Sequence, residues 1–123
     1  MTCSTLLLKR GAPATYDYTC RNADGSLRPF ASGEYAVLSI GVVTNTGSAV
    51  LQKSTANPIQ GETAVGSAVA SFFFYDEDTD DTLVGANYKA DVWIGGNADS
   101  PIAMDDTIAV TVQGRVNPNP PGP

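Results

Sequence analysis

Apolar and polar residues alternate with a period of two along most of this chain, and this alternation restricts its fold more than any other feature. Side chains of a β-strand point in turn to the two faces of a sheet, so each such segment predicts a half-buried strand. No long helical stripe competes with this pattern. The clearest segments are TYDYTC (15–20), YAVLSIGVV (35–43), YKADVWIG (88–95) and TIAVTVQGRV (107–116).

Three further apolar segments bring the number of predicted strands to about seven: TLLLK (5–9), AVLQK (49–53) and AVASFFFY (68–75). Turns are predicted at Asp24-Gly25 and at 45–47. At 123 residues this pattern predicts a single antiparallel β-sandwich. We assign residues 1–116 to the sandwich. Residues 117–123, NPNPPGP, are predicted to form an extended polyproline II tail.

The two cysteines, Cys3 and Cys20, lie on the first two apolar segments. If those segments formed a hairpin around RGAP (10–13), equal spacing would place the cysteines opposite each other, where a disulfide could form. A reducing cytosol disfavours that bond, so we expect two buried thiols.

The formal net charge of −6 disfavours a surface for nucleic acid or anionic membranes. No apolar run approaches the length of a membrane span, and the leucines near the start are too few for a signal-peptide core. We therefore expect a protein made and kept, or assembled, in a cytosol. Residues 1–28 carry four basic and two acidic residues, whereas the remainder carries three basic and eleven acidic ones. Such asymmetry is compatible with head-to-tail contacts between copies, but scattered surface charge without a partner is the preferred interpretation.

The residue types disfavour catalysis. Histidine is absent, which removes the usual nucleophile systems and imidazole metal sites. The cysteines do not form a zinc-binding pattern, and no phosphate-binding loop is recognisable. Carboxylates are plentiful enough for glycosidase chemistry, but little else in the sequence would build a substrate cleft. We predict that the chain is not an enzyme and has no cofactor, calcium being the one open question.

The calcium question concerns the segment DEDTDD (76–81). Asp76, Asp78 and Asp80 match the opening of an EF-hand loop, but Asp81 and Asn87 stand where glycine and glutamate are required. These carboxylates could still form a looser calcium site. The alternative is a short helical crossover capped by Asp76, which also keeps the apolar run before it soluble.

Several apolar residues are candidates for an interface. Alternation places Trp93 on the face of its strand opposite to the core. There it either packs under a loop or the polar tail of its own chain, or serves as an interface anchor, a role in which tryptophan is frequent. The run FFFY is apolar on both faces, which predicts a strand that is central in its sheet or covered by a neighbouring chain. The full set of candidates is Trp93, Phe73, Tyr75, Pro118, Pro120 and Pro121.

The order of motifs resembles immunoglobulin-like domains of tailed-bacteriophage virion proteins, including the N-terminal domain of baseplate upper proteins. The resemblance spans most of residues 4–118. It is carried by LLLKRG (6–11), ATYDYTCRNADGSLRPF (14–30), TDDTLVGANYKADVWI (79–94) and IAVTVQGRVNP (108–118). It implies an immunoglobulin-like sandwich without catalytic residues, located in the virion after assembly in the host cytoplasm.

A small stand-alone domain of this kind would be a capsid decoration or cement protein, or a tail or baseplate accessory. Its partners would be other virion proteins, and a homo-oligomer is expected. Two alternatives stay open. One is a module that binds carbohydrate or the host surface through Trp93 and Tyr75. The other is an adhesion-type domain stabilised by calcium at residues 76–81.

Overall fold

The computed structural model describes residues 5–9, 12–42, 49–79, 88–96 and 102–113, and within these ranges the chain is almost entirely β-structure. The elements are β1 (Thr5–Lys9), β2 (Ala14–Thr19), β3 (Tyr35–Val42), β4 (Ala49–Ser54), β5 (Gly61–Thr63), β6 (Val69–Phe74), a 3-10 helix (Asp76–Thr79), β7 (Tyr88–Gly95) and β8 (Ile102–Gln113). The predicted all-β class is confirmed. The short strand β5 was not predicted.

The strands form two packed sheets. The larger has the order β1-β8-β7-β3-β4, and the smaller has the order β2-β6-β5. Every pair of neighbouring strands in this part of the chain is antiparallel except β1 and β8, which pair in parallel from Thr5 opposite Ala109 to Lys9 opposite Gln113. The sandwich prediction is therefore confirmed, with one parallel pair that it did not include.

The first two apolar segments do not form the hairpin on which a Cys3–Cys20 disulfide would depend. β1 pairs with β8 in the larger sheet, whereas β2 pairs with β6 in the smaller one. The chain changes sheet after Lys9, whose carbonyl oxygen accepts a hydrogen bond from the Ala12 amide at 3.0 Å. No hairpin therefore places Cys3 and Cys20 opposite each other. Cys20 is buried as predicted, and Cys3 lies outside the described residues.

The core follows the alternation seen in the sequence. Alternate residues of β3 and β7 point inward and are almost fully buried, as are Phe72 and Phe74 of β6. β6 lies between β2 and β5, which confirms that the apolar run is a central strand. The main inward-facing residues are Leu6, Leu8, Tyr18, Ala36, Leu38, Ile40, Ala70, Phe72, Phe74, Ala90, Val92, Ile94, Ile108 and Val110.

The predicted helical crossover is present as a single 3-10 turn after β6, at Asp76–Thr79. The predicted cap is wrong, because Asp76 is the first residue of this turn and Tyr75 precedes it, with its carbonyl oxygen accepting from the Asp78 amide at 3.0 Å. Oδ1 of Asp76 accepts from the adjacent Glu77 amide, at 3.1 Å. The predicted turn at 45–47 and the proline-rich tail 117–123 both lie outside the described residues. No helix in the described part of the chain is long and apolar enough to cross a membrane.

Two glycines with positive φ show how the loops constrain the fold. Gly25 (φ 89°) occupies the predicted turn, where Oδ1 of Asp24 accepts hydrogen bonds from the amide and hydroxyl of Ser26. A Cβ atom on Gly25 would meet no neighbour within 4 Å. Gly96 (φ 86°) differs, because a Cβ there would overlap the carbonyl oxygen of Gly33. The loops before β3 and after β7 thus touch through backbone atoms.

These two positions make a matched test of that contact. Gly25→Ala should cost about 1 kcal/mol of unfolding free energy, because only the left-handed backbone is strained. Gly96→Ala should cost about 3 kcal/mol, because the loops must also separate. Urea denaturation of both variants measures the difference. Equal losses would show that the two loops are not in close contact.

Candidate functional site

Lys53 is a buried cation on an edge strand of the larger sheet. In the register of β3 and β4, Lys53 lies opposite Leu38, and Leu51 lies opposite Ile40. Both partners belong to the core, so Lys53 also points inward, and only 4% of its surface is exposed. An inward-pointing charge on an edge strand discourages pairing with another sheet. It also requires a buried partner, because an unpaired buried ammonium group is very unfavourable.

That partner is Asp78, in the 3-10 helix. Nζ of Lys53 lies 2.6 Å from Oδ2 of Asp78, and the same oxygen accepts a hydrogen bond from the Tyr75 amide at 2.7 Å. The ammonium also lies 5.7 Å from the ring centre of Phe74 and 5.4 Å from that of Tyr75, within cation–π range. This ion pair connects β4, an edge strand of the larger sheet, to the 3-10 helix that follows β6 of the smaller sheet.

The ion pair bears on the calcium hypothesis. Oδ2 of Asp78 already accepts hydrogen bonds from Lys53 and from the Tyr75 amide. One oxygen of the candidate calcium ligands is therefore already in use. Asp76 accepts from Glu77, and Asp80 lies outside the described residues. Among the residues whose placement is described, no group of three or more potential metal ligands is found. A site that includes Asp80 stays a prediction.

Hydrogen bonds join the end of β6 to the loop before β5, and we call Tyr75, Phe73 and Ile59 in this region the Tyr75 patch. The Tyr75 hydroxyl donates to the carbonyl oxygen of Ile59 at 2.7 Å, which brings the loop before β5 against the tyrosine. The Phe73 amide donates to the carbonyl oxygen of Gln60 at 2.9 Å. Tyr75 is 40% exposed, Ile59 is 66% exposed, and Phe73 is half-buried. Two exposed acids, Glu62 and Glu77, flank the patch in the sequence and register.

Trp93 lies on the outer face of the larger sheet, as alternation predicts, and it is half-buried there. Its cross-strand partner is Val37, and the neighbouring pair joins Tyr35 to Gly95. The Tyr35 ring fills the space where a Cβ of Gly95 would stand. We call Tyr35, Val37 and Trp93 the Trp93 cluster. All three are half-buried, and Lys89 and Asp91 on the same face of β7 are exposed.

The candidate interface residues are therefore not brought together at one site. Phe73 and Tyr75 belong to the smaller sheet and its exit, whereas Trp93 faces outward from the larger sheet. Pro118, Pro120 and Pro121 lie outside the described residues. Sequence reasoning missed Tyr35 and Val37, although the alternation of YAVLSIG already places both opposite the core residues Ala36 and Leu38. It also missed Ile59, because a residue in a loop gives no periodic signal.

Cys20 lies in a buried environment beside an ion pair. Arg28 and Glu34 contact each other through two nitrogen–oxygen pairs, at 2.9 Å and 3.4 Å. The hydrogen bond to Glu34 raises the pKa of Arg28. Burial raises the pKa of the Cys20 thiol from 9.0 to about 11, with Arg28 opposing and Glu34 adding to the shift. Cys20 is thus an unreactive core thiol at neutral pH.

The chain matches no model of a known protein family, and no curated protein sequence is significantly similar to it. Function is therefore inferred from the two surfaces and from the motif resemblance.

Replacing Lys53 tests the ion pair. Lys53→Met keeps the length of the side chain but leaves Asp78 largely buried without its counter-charge, so unfolding free energy should fall by about 2 to 4 kcal/mol. Lys89→Met is the matched control on an exposed position and should change stability by less than about 0.5 kcal/mol. Urea denaturation gives both values. A Lys53→Met variant as stable as the parent chain would contradict the structural role of the pair.

The raised pKa of Cys20 predicts a specific loss of stability at alkaline pH. The folded thiol ionises later than the unfolded one, so its contribution is complete below pH 9 and is lost as the pH rises through 11. In a Cys3→Ser background, unfolding free energy should fall by about 2 kcal/mol more between pH 8 and pH 10.5 than in the same background carrying Cys20→Ala. Urea titrations at both pH values measure this. Identical pH dependence would mean that Cys20 is not buried as a thiol.

Proposed function

We propose that this chain is a non-enzymatic structural protein of a tailed-bacteriophage virion, either a small capsid decoration or cement protein or an accessory component of the tail or baseplate. Such a protein acts by burying its surface against neighbouring virion proteins, and it works in multiple copies. The motif resemblance and the β-sandwich fold both support this proposal.

The observation that carries the proposal is the Trp93 cluster. Tyr35, Val37 and Trp93 lie side by side across β3 and β7 on the outer face of the larger sheet, and each retains accessible apolar surface. Large aromatic side chains held by the backbone of a sheet lose little conformational freedom when a partner covers them. A central aromatic group with charged residues around it is the usual composition of a protein interface.

The buried charged groups also support a structural function. Lys53 is paired with Asp78, which connects β4 to the 3-10 helix, and Arg28 is paired with Glu34 within the connection between β2 and β3. The contacts within these ion pairs account for the burial of the charged side chains, so no catalytic role is needed to explain it. The proposal that the protein is not an enzyme rests on these contacts together with the absence of histidine from the sequence.

Carbohydrate binding is the second candidate, and the geometry of Tyr75 favours it. Its ring is partly exposed while its hydroxyl is fixed on the Ile59 carbonyl, as is suitable for stacking against a sugar. A glycan array probed with the parent chain, Tyr75→Ala and Trp93→Ala tests this candidate. Binding that either variant abolishes would favour a host-surface module over a virion contact.

Removing Trp93 should weaken attachment to the virion. We expect Trp93→Ala to reduce co-sedimentation with phage particles assembled without the protein by about tenfold in apparent affinity, because an interface anchor is lost. Val65→Ala, which truncates a 72% exposed residue of the smaller sheet region, is the matched control and should bind like the parent chain. Urea denaturation would verify that both variants fold. Particles that bind neither the parent chain nor its variants would overturn the proposal.

A further inference from the structure

We propose that the free edge of β1 pairs with β1 of a second copy of this chain, in an antiparallel arrangement centred on Leu7. β1 (Thr5–Lys9) lies at one end of the larger sheet, where it pairs with β8 on one side and with no described strand on the other. This contact between copies goes beyond the virion function proposed above and does not depend on it.

The other edges of the two described sheets carry features that discourage such pairing. The edge strand β4 points the charged Lys53 inward, and Val50 is an extra residue that interrupts its register with β3. The edge strand β2 carries the exposed charge of Asp17, and the edge strand β5 has only three residues. Charged side chains, bulges and short length are the features by which natural proteins protect the edges of their sheets.

β1 has none of these protecting features in its interior. Its sequence TLLLK is apolar at its three central residues, and its one charged residue, Lys9, ends the strand. Leu6 and Leu8 are buried in the core, whereas Leu7 points to the outer face and is 55% exposed. An apolar edge strand of this kind is a site at which another strand adds to a sheet.

The backbone of β1 provides about four hydrogen bonds to a second copy. In a parallel pair such as β1 and β8, alternate residues direct their backbone groups to the neighbouring strand, and the residues between them direct theirs away. If Leu6 and Leu8 point away from β8, they form about four hydrogen bonds with Leu8 and Leu6 of the second copy. If the other three residues do, about four remain after the Lys9 carbonyl oxygen, which already accepts from the Ala12 amide, is left out.

Centring the pair on Leu7 is the arrangement that uses the whole strand. Leu7 then lies opposite Leu7 of the second copy, and Leu6 lies opposite Leu8, so apolar side chains meet on both faces of the sheet. Lys9 lies opposite Thr5 of the second copy. The two Lys9 residues are about 14 Å apart, which exceeds the Debye length of about 8 Å at physiological ionic strength. Like charges therefore do not oppose the pairing of the two strands.

The symmetry of this pair relates it to the outer face of the larger sheet. A two-fold axis perpendicular to the sheet keeps the outer faces of both copies on the same side and joins the two five-stranded sheets into one. The Trp93 clusters of both copies then face in the same direction, so one dimer contacts a repetitive surface through both. Binding through two linked sites raises the apparent affinity without any new kind of contact.

Sedimentation equilibrium of the full-length chain under reducing conditions tests the pairing. One pair of short strands is smaller than a standard interface, so we expect a weak dimer with a dissociation constant on the order of 100 µM. Leu7→Lys should raise that constant at least about tenfold, because two lysines would lie opposite each other. Leu27→Lys is the matched control, since Leu27 is 54% exposed and lies outside β1, and it should dimerise like the parent chain. A parent chain that stays a single copy at about 1 mM would overturn the proposal, as would growth beyond two copies.

Opposite charges at position 7 test the register. Leu7→Glu alone should dimerise as weakly as Leu7→Lys, whereas an equimolar mixture of the two variants should dimerise at least as well as the parent chain, because the axis places position 7 opposite itself. Urea denaturation verifies that each variant folds, as expected for an exposed position. A mixture that stays monomeric would overturn the pairing centred on Leu7. No virion particle enters this assay, so its outcome is separate from that of the Trp93→Ala co-sedimentation.

Discussion

The two sheets share one apolar interior, and alternate residues of their strands must fill it. This constraint assigns Phe72 and Phe74 to the core and directs Phe73 outward on the next position of the same strand. It likewise buries Val92 and Ile94 while turning Trp93 to the outer face of the larger sheet. The two candidate surfaces are thus consequences of strand register, and a shift by one residue would exchange interior and surface along a whole strand.

The ion pair between Lys53 and Asp78 connects the edge strand of the larger sheet to the 3-10 helix that follows β6. Lys53 points into the core from the edge strand β4, and Asp78 meets it from the 3-10 helix while also accepting the Tyr75 amide. The pair therefore positions the residue that defines the Tyr75 patch. A buried pair of this kind adds little net stability compared with apolar packing, but it disfavours alternative arrangements of the edge strand. We infer that its main effect is on the specificity of the fold.

Local pattern predicted most of the fold because burial in a strand depends on neighbours two residues apart. All the described strands except β5, the outward position of Trp93, the central position of FFFY and the short helical crossover followed from it. The parallel pairing of β1 with β8 did not, because it joins residues about a hundred positions apart in sequence. Lys53 was also missed, because AVLQK does not reveal that its strand lies at an edge beside Asp78. Ile59 reaches Tyr75 only through tertiary packing.

We propose that the outer face of the larger sheet contacts other proteins in an assembled virion. Hydroxyl-radical footprinting measures side-chain accessibility directly, in the free chain and in particles that contain it. Oxidation of Trp93 should fall markedly in the particle, while oxidation of Leu27, an exposed residue in the loop after β2, should change little. Equal oxidation of Trp93 in both states would contradict the claim.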